Sequence, residues 1–186
     1  MDIFEAIHTR QSTPNVKQAV VPEEFISKIL AAAVQAPNHH KVRPWRFFVL
    51  TGKARERLGE EMARSLKKRQ PAIPAAALEV ERKRALRAPL VIAVGVDHPA
   101  DEKDIEIENV CATAAAVQNL LLTSHALGLG AMWRTGPAAY DADIKSFFGL
   151  LPTQHLIGFI YIGFPTVEQK RPERQGYEDR TVWITN

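Results

Sequence analysis

AAAVQAPNHHKVRPWRFFVL, residues Ala31–Leu50, carries the chain from the end of a helix through a polar turn into a strand. Upstream, Phe25, Ile26, Ile29, Leu30, Ala33 and Val34 recur at helical spacing. They predict an amphipathic helix over Pro22–Ala36, with Pro22 at its start and Glu23 and Glu24 in its first turn. Pro37 stops that helix. Asn38, His39, His40, Lys41 and Arg43 then lie between Pro37 and Pro44. Each proline fixes its own φ and biases the residue before it away from the helical region, which predicts a turn held in one shape. Two imidazoles, an ammonium and a guanidinium at the mouth of an apolar element suit an anionic, aromatic ligand. Gln35 and His39 are expected on one side of this turn, and Trp45–Leu50 reads as a strand.

The remainder of the chain continues the alternation. Asp2 with Glu5 three residues on reads as a capping box that opens a short helix. Lys53–Arg69 is a basic amphipathic helix. Gln70–Ala77, with Pro71 and Pro74, reads as a linker, and Leu78–Leu86 as a second charged helix. Lys53–Leu86 together is a candidate cap over a site. Leu90–Val96 is a continuous apolar run that predicts a central strand buried on both faces. Asp104–Leu127 is the longest helix, and its small-residue run Cys111–Ala116 suits close packing in a core or between subunits. Cys111 is read there as a buried, inert thiol. Gly128 caps this helix. Gly128-x-Gly130 follows a helix, whereas a dinucleotide fingerprint follows a strand and opens a helix, so a Rossmann domain is rejected. Asp141–Phe148 is a short helix, His155–Phe164 a further strand, and Thr181–Ile184 a candidate edge strand for this subunit or a partner. Strands interleaved with helices predict a layered α+β or α/β domain.

With 186 residues, the chain is read as one domain, 1–186. A chain of this length buries roughly 70% of its unfolded surface and needs no staples. One cysteine excludes an internal disulfide and points to a reducing compartment. Met1–Arg10 carries Asp2 and Glu5 and does not read as a signal peptide. No run approaches the roughly 18 apolar residues that span a bilayer. The expectation is a soluble, cytoplasmic protein. Net charge is +3, with the basic excess gathered in Lys53–Arg69, Arg82–Arg87 and Lys170–Arg180.

Three segments in register then resemble one family. Arg10-Gln11-Ser12 is similar to an Arg-Arg-Ser motif. Ala36-Pro37 through Pro44-Trp45-Arg46-Phe47 and Trp133-Arg134-Thr135-Gly136 match two further motifs, and Gly163-Phe164-Pro165 resembles the exit of the last strand. Together they resemble the short branch of the nitroreductase family of FMN-dependent oxidoreductases. The resemblance implies an α+β fold, a mixed and mainly antiparallel sheet flanked by helices, in a homodimer with two FMN sites at its interface. Arg10, Gln11 and Ser12 would hold the phosphate and ribityl end. Gln35, Pro37 and His39 would come from the other subunit to face the ring, and Trp133, Arg134 and Thr135 would line it through backbone groups. Thr123 stands where NAD(P)H binds in short members. Lys41 and Arg43 depart from the family's Asn and Gln, and a cation there would stabilise an anionic reduced flavin. Whether Arg171 or Arg174 reaches the phosphate is left open. The resemblance implies ping-pong reduction of nitroaromatics, quinones or a similar electrophile by NADH or NADPH. The cofactor carries that chemistry, so no catalytic acid, base or nucleophile is assigned.

Three other readings compete. The same fold also serves enzymes that dehalogenate or that consume flavin. A basic nucleic-acid-binding protein draws support from Lys67-Lys68-Arg69 and Arg82-Lys83-Arg84, yet no recognition motif accompanies them. A metal enzyme using His39, His40, Asp97 and His98 lacks a helical His pair, and adjacent histidines rarely ligate one ion together.

Overall fold

The computed structural model describes residues 1–167 and 172–185. Its strands are β1 (Trp45–Leu50), β2 (Leu90–Val96), β3 (Gly130–Arg134) and β4 (His155–Gly163), in the order β1-β2-β4-β3. Every neighbouring pair is antiparallel. That pairing, with helices on both faces, makes the domain α+β and removes the α/β alternative. All of β2 is buried because it lies between β1 and β4 and is covered on both sides.

The helices are α1 (Ile3–Thr9), α2 (Glu23–Ala33), α3 (Lys53–Arg69), α4 (Ala75–Lys83), α5 (Glu106–Ala126), α6 (Pro137–Tyr140) and α7 (Ala142–Phe147). On one face of the sheet, Ile29 and Ala33 of α2 and Ala112, Ala116, Val117 and Leu120 of α5 meet Ile92, Val94, Ile160 and Ile162. On the other, Leu58 and Met62 of α3 and Ile144 and Phe148 meet Val91, Ala93, Phe159 and Tyr161. Each fully buried Leu, Ile or Val contributes about 1.5–3 kcal/mol. The candidate cap is therefore body as far as α3 is concerned, since Leu58 and Met62 lie within this second core. Gly59 lets α4 come close: a Cβ there would sit 2.1 Å from the Arg82 carbonyl oxygen.

Asp2 caps α1, its Oδ1 accepting from the Glu5 N–H at 2.8 Å. Four sequence expectations need correction. The Pro22–Ala36 helix ends at Ala33, ahead of Pro37. The linker Gln70–Ala77 is shorter than read, because α4 starts at Ala75 directly after Pro74, a favoured helix opening. Thr181–Ile184 adds no edge strand to its own chain and lies exposed, which leaves the partner alternative. Cys111 is exposed, not buried. The helix packs on the sheet through Ala112, Thr113 and Ala116, and one residue of helix turns Cys111 about 100° away from that contact.

The basic helices are neutralised locally. Arg82 pairs with Glu60 at 2.8 Å, Lys68 with Asp143 at 2.8 Å and Arg69 with Asp141 at 3.0 Å. These pairs tie α3 to its neighbours and interrupt the continuous positive face that a nucleic acid needs. Among the described residues no helix is long and apolar enough to cross a membrane.

Candidate functional site

The chain leaves α1 at Arg10 and runs beside the edge strand β3. Ser12 bridges to Ala131 in parallel, and the Thr13 N–H donates to the Ala131 oxygen at 3.0 Å. Further on, Val16 bridges to Pro165 beyond β4. Arg10, Gln11 and Ser12 are thereby fixed at the start of β3, the strand that continues into Trp133, Arg134 and Thr135. Gly130 permits this approach: a Cβ there would lie 2.6 Å from the Thr13 methyl.

A second guanidinium and an imidazole lie beside Arg10. The Arg174 guanidinium donates to the Arg10 carbonyl oxygen at 3.0 Å. Thr9 Oγ1 lies 2.7 Å from His125 Nε2 in the last turn of α5. Burial and then Arg174 hold the Arg10 pKa below its ordinary value. Burial and then Arg10 do the same to His125, with Glu5 opposing. Among the described residues neither Arg10 nor Arg174 has an acidic ion-pair partner. Positive groups that disfavour one another's charge, beside the Ser12 hydroxyl, form a site that an anion would relax. Of the two tail arginines considered, Arg174 is the one seen at this position; Arg171 lies outside the described residues. His125 escaped the sequence reading because a lone helical histidine carries no signal until α1 is laid beside it.

Along β3 the side chains alternate. Trp133 packs with the α2/α5 core and donates Nε1–H to the Ile157 oxygen at 3.0 Å. Gly158 makes room, since a Cβ there would lie 2.5 Å from that nitrogen. Arg134 points to the other layer, its guanidinium 5.9 Å from the centre of the Tyr161 ring. There Arg134, Thr135 and Gly136 line a cavity of about 170 Å³ with Glu81, Arg84, Arg87 and Phe159. Arg84 Nε is held 2.9 Å from Glu81 Oε2. The sequence reading treated Arg84 and Arg87 as a solvated helix face. Both remain exposed, as that reading has it, and they border the cavity from the 3-10 turn Arg84–Leu86 that follows α4.

The Pro37 turn stands elsewhere. His40, Lys41 and Arg43 have φ of 48°, 58° and 51°, left-handed values that are uncommon outside glycine. The Asn38 Oδ1 accepts from the Arg43 N–H at 2.9 Å and locks the loop. His39 Nδ1 lies 2.6 Å from a carboxylate oxygen of Glu108, in the first turn of α5. Pro37, Asn38 and His39 border a groove of about 490 Å³ floored by Cys111, Ala112 and Ala115. Gln35 is exposed and donates to the Ala31 oxygen at 3.3 Å. Thr123 is half-buried near the last turn of α5.

The expected residues thus separate along α5. Arg10, Gln11 and Ser12 lie at its last turn, Gln35, Pro37 and His39 lie at its first, and Trp133–Thr135 stand further along β3, which runs from the last turn back towards the first. Glu108 and His125 are about 25 Å apart along the helix, at about 1.5 Å per residue. One chain does not bring Arg10–Ser12 and the Pro37 turn together. Among the described residues no three His, Cys, Asp or Glu side chains converge as a metal site.

An antiparallel sheet between helical layers, with Arg10, Arg174 and His125 gathered beside its edge strand, defines an α+β class of protein. Comparison with known proteins narrows it. The sequence model of the Nitroreductase family matches residues 7–164, and the chain belongs to that family of oxidoreductases. It is 30% identical over 179 residues to "Putative NAD(P)H nitroreductase YfhC" of Bacillus subtilis strain 168, covering 95% of this chain and 91% of that one. The nitroreductase-like family protein from Bacillus cereus superposes with a TM-score of 0.88 at 24% identity, covering 100% and 97% of the two chains. The FMN-dependent nitroreductase NfnB from Mycobacterium smegmatis, solved in complex with NADPH, gives 0.76 at 17% identity, covering 98% and 97%.

Proposed function

We propose that the chain, as one domain over residues 1–186, is an FMN-dependent oxidoreductase. It would transfer reducing equivalents from NADH or NADPH to a nitroaromatic, a quinone or a similar electrophile. The observation that carries this reading is the Arg10, Arg174, His125 and Ser12 cluster at the open start of β3. Its surplus positive charge fits a phosphate. The backbone of Trp133–Thr135, leading away from it on the sheet edge, fits a planar ring that takes hydrogen bonds. Bound FMN supplies the chemistry, accepting hydride and passing electrons on.

The protein's own part is to hold and tune. Arg10 and Arg174 anchor the phosphate, with Ser12 as hydroxyl donor and Gln11 beside them. Trp133, Arg134 and Thr135 fix the ring. Arg84 and Arg134 add positive charge beside Thr135, which favours an anionic reduced state. His39, Gln35 and Pro37 close the ring's other side from a second copy, and His39 serves as hydrogen-bond donor rather than proton shuttle. Thr123 is the candidate contact for the nicotinamide donor.

The second copy is supported by α5, which is apolar on two sides. One side covers the sheet. Ile107, Cys111, Ala114 and Leu122 recur along another that belongs to neither core, with exposed Gln118 among them and exposed Ile3, Phe4 and Ile7 on α1. Two chains with their α5 helices antiparallel would lay the first turn of one against the last turn of the other. His39 of one chain would then meet Arg10 of its partner, closing the 25 Å gap.

The test is the visible absorption spectrum of the purified protein, mixed with FMN if colourless, and followed anaerobically as NADPH and then NADH are added. A flavin band that bleaches supports the reading. A protein that neither carries nor binds FMN overturns it.

A further inference from the structure

Glu108 has no part in the function as proposed, yet it touches His39. Its Oε2 lies 2.6 Å from His39 Nδ1, although the two are 69 residues apart in sequence. Both ends of the contact are fixed. On α5, the Glu108 N–H donates to the Ile105 oxygen at 3.0 Å, and the neighbouring Asn109, only 2% exposed, donates Nδ2–H to Asp104 Oδ1 at 2.6 Å. On the turn, Asn38 Oδ1 and the Arg43 N–H close the loop that carries His39. The side chains of His39 and Glu108 are 61% and 37% exposed, so their attraction adds little to the stability of the fold. Its consequence lies in the state and orientation of the ring.

A carboxylate only accepts hydrogen bonds, so Nδ1 carries the hydrogen and Nε2 is the nitrogen left for a ligand. An unconstrained neutral imidazole prefers the opposite arrangement, with its hydrogen on Nε2. His40, whose ring centre is 4.4 Å away, shares the turn with Lys41 and Arg43, and Cys111 borders the same groove from α5. Among the described residues Glu108 is the one carboxylate in contact with His39. We propose that Glu108 is a positioning residue for His39: it holds the hydrogen on Nδ1 and turns Nε2 towards the ring bound by the second copy. This rests on the function proposed above and gives His39 a defined chemical state within it. With Nδ1 committed to Glu108, His39 donates from Nε2 only as the imidazolium. Glu108 is then the counter-charge on the far side of that ring, and the positive charge stands against the flavin.

The test reads the hydrogen directly. Nitrogen-15 NMR of the full-length protein as purified, at about pH 9, where an ordinary imidazole is neutral, identifies the protonated ring nitrogen. The His39 signals are recognised by their loss in His39→Gln. The expected result is hydrogen on Nδ1 in the parent and on Nε2 in Glu108→Ala. Glu106→Ala removes the neighbouring acid of α5, which pairs with His155, and should leave His39 as in the parent. The role is read in NADPH-dependent turnover at saturating FMN. Glu108→Ala should lower kcat about tenfold, the size of a lost charged hydrogen bond, and should have no further effect in a His39→Gln background. Hydrogen on Nε2 in the parent overturns the proposal, whether or not any variant folds, and so does a tautomer unmoved by Glu108→Ala. An equal loss of turnover in the His39→Gln background assigns Glu108 to the fold alone and also overturns it. A protein that binds no FMN removes the role through the function it rests on, while the NMR result still tells whether Glu108 sets the tautomer.

Discussion

Arg10 shows how one residue can declare a ligand. Its guanidinium is partly buried, lies near a second guanidinium and an imidazole, and has its pKa depressed by burial first and Arg174 next. Replacing Arg10 by Ala removes a charged hydrogen bond to the anion, an effect of about 1.5–3 kcal/mol. Equilibrium titration should therefore show FMN affinity falling at least tenfold, with a shallower salt dependence. His125 gives a pH prediction. Its folded pKa is depressed, so the unfolded chain takes up the proton first as pH falls below about 6.5. Stability should therefore decline from pH near 6.5 down towards the depressed folded value and hold above that window. Thermal melts of the FMN-free protein should show this loss, and His125→Gln should reduce it. Lys41 offers the opposite trade. Its φ of 58° costs a non-glycine residue roughly 1–2 kcal/mol. Lys41→Gly should match or exceed the parent in denaturant melts while lowering turnover, because the strained loop positions the cations around His39.

The elements show which parts of the fold were legible. The apolar run Leu90–Val96 could only be a strand covered on both sides, and it lies between β1 and β4. Lys53–Arg69 could be bounded from its own periodicity and flanking Gly52 and Gln70. Cys111 could not be placed, because Cys111–Ala116 is small and apolar on every side, and nothing local says which side faces the sheet. Arg84 and Arg87 are exposed as read, but that they border a cavity with Thr135 depends on a contact between distant segments. The clustering of Arg10, Arg174 and His125 depends on contacts across more than a hundred residues, and only Arg10 lay within a motif. Gly158 tests the element scale. It has φ 144°, and a Cβ would fall 2.5 Å from Trp133 Nε1 and 2.6 Å from the Arg134 oxygen. Gly158→Ala should cost about 3 kcal/mol by chemical denaturation, through strain and displaced β3 contacts.

At the scale of the whole molecule, α5 is both the spine of one subunit and the proposed seam between two. Ala114 lies on its uncovered side and is absent from both cores. Ala114→Arg should leave the chain folded by circular dichroism yet monomeric by sedimentation, with its FMN affinity reduced. The central claim is that each site draws Arg10 and Arg174 from one chain and His39 from the other. The most direct measurement is NADPH-dependent turnover, with saturating FMN, of a reassociated equimolar mixture of two impaired variants, Arg10→Ala/Arg174→Ala and His39→Ala. Random pairing makes half the dimers mixed, each with one intact site, so activity should recover to about a quarter of the parent level. A mixture that exchanges subunits but stays at the level of its components would mean that the two groups of residues do not serve one site.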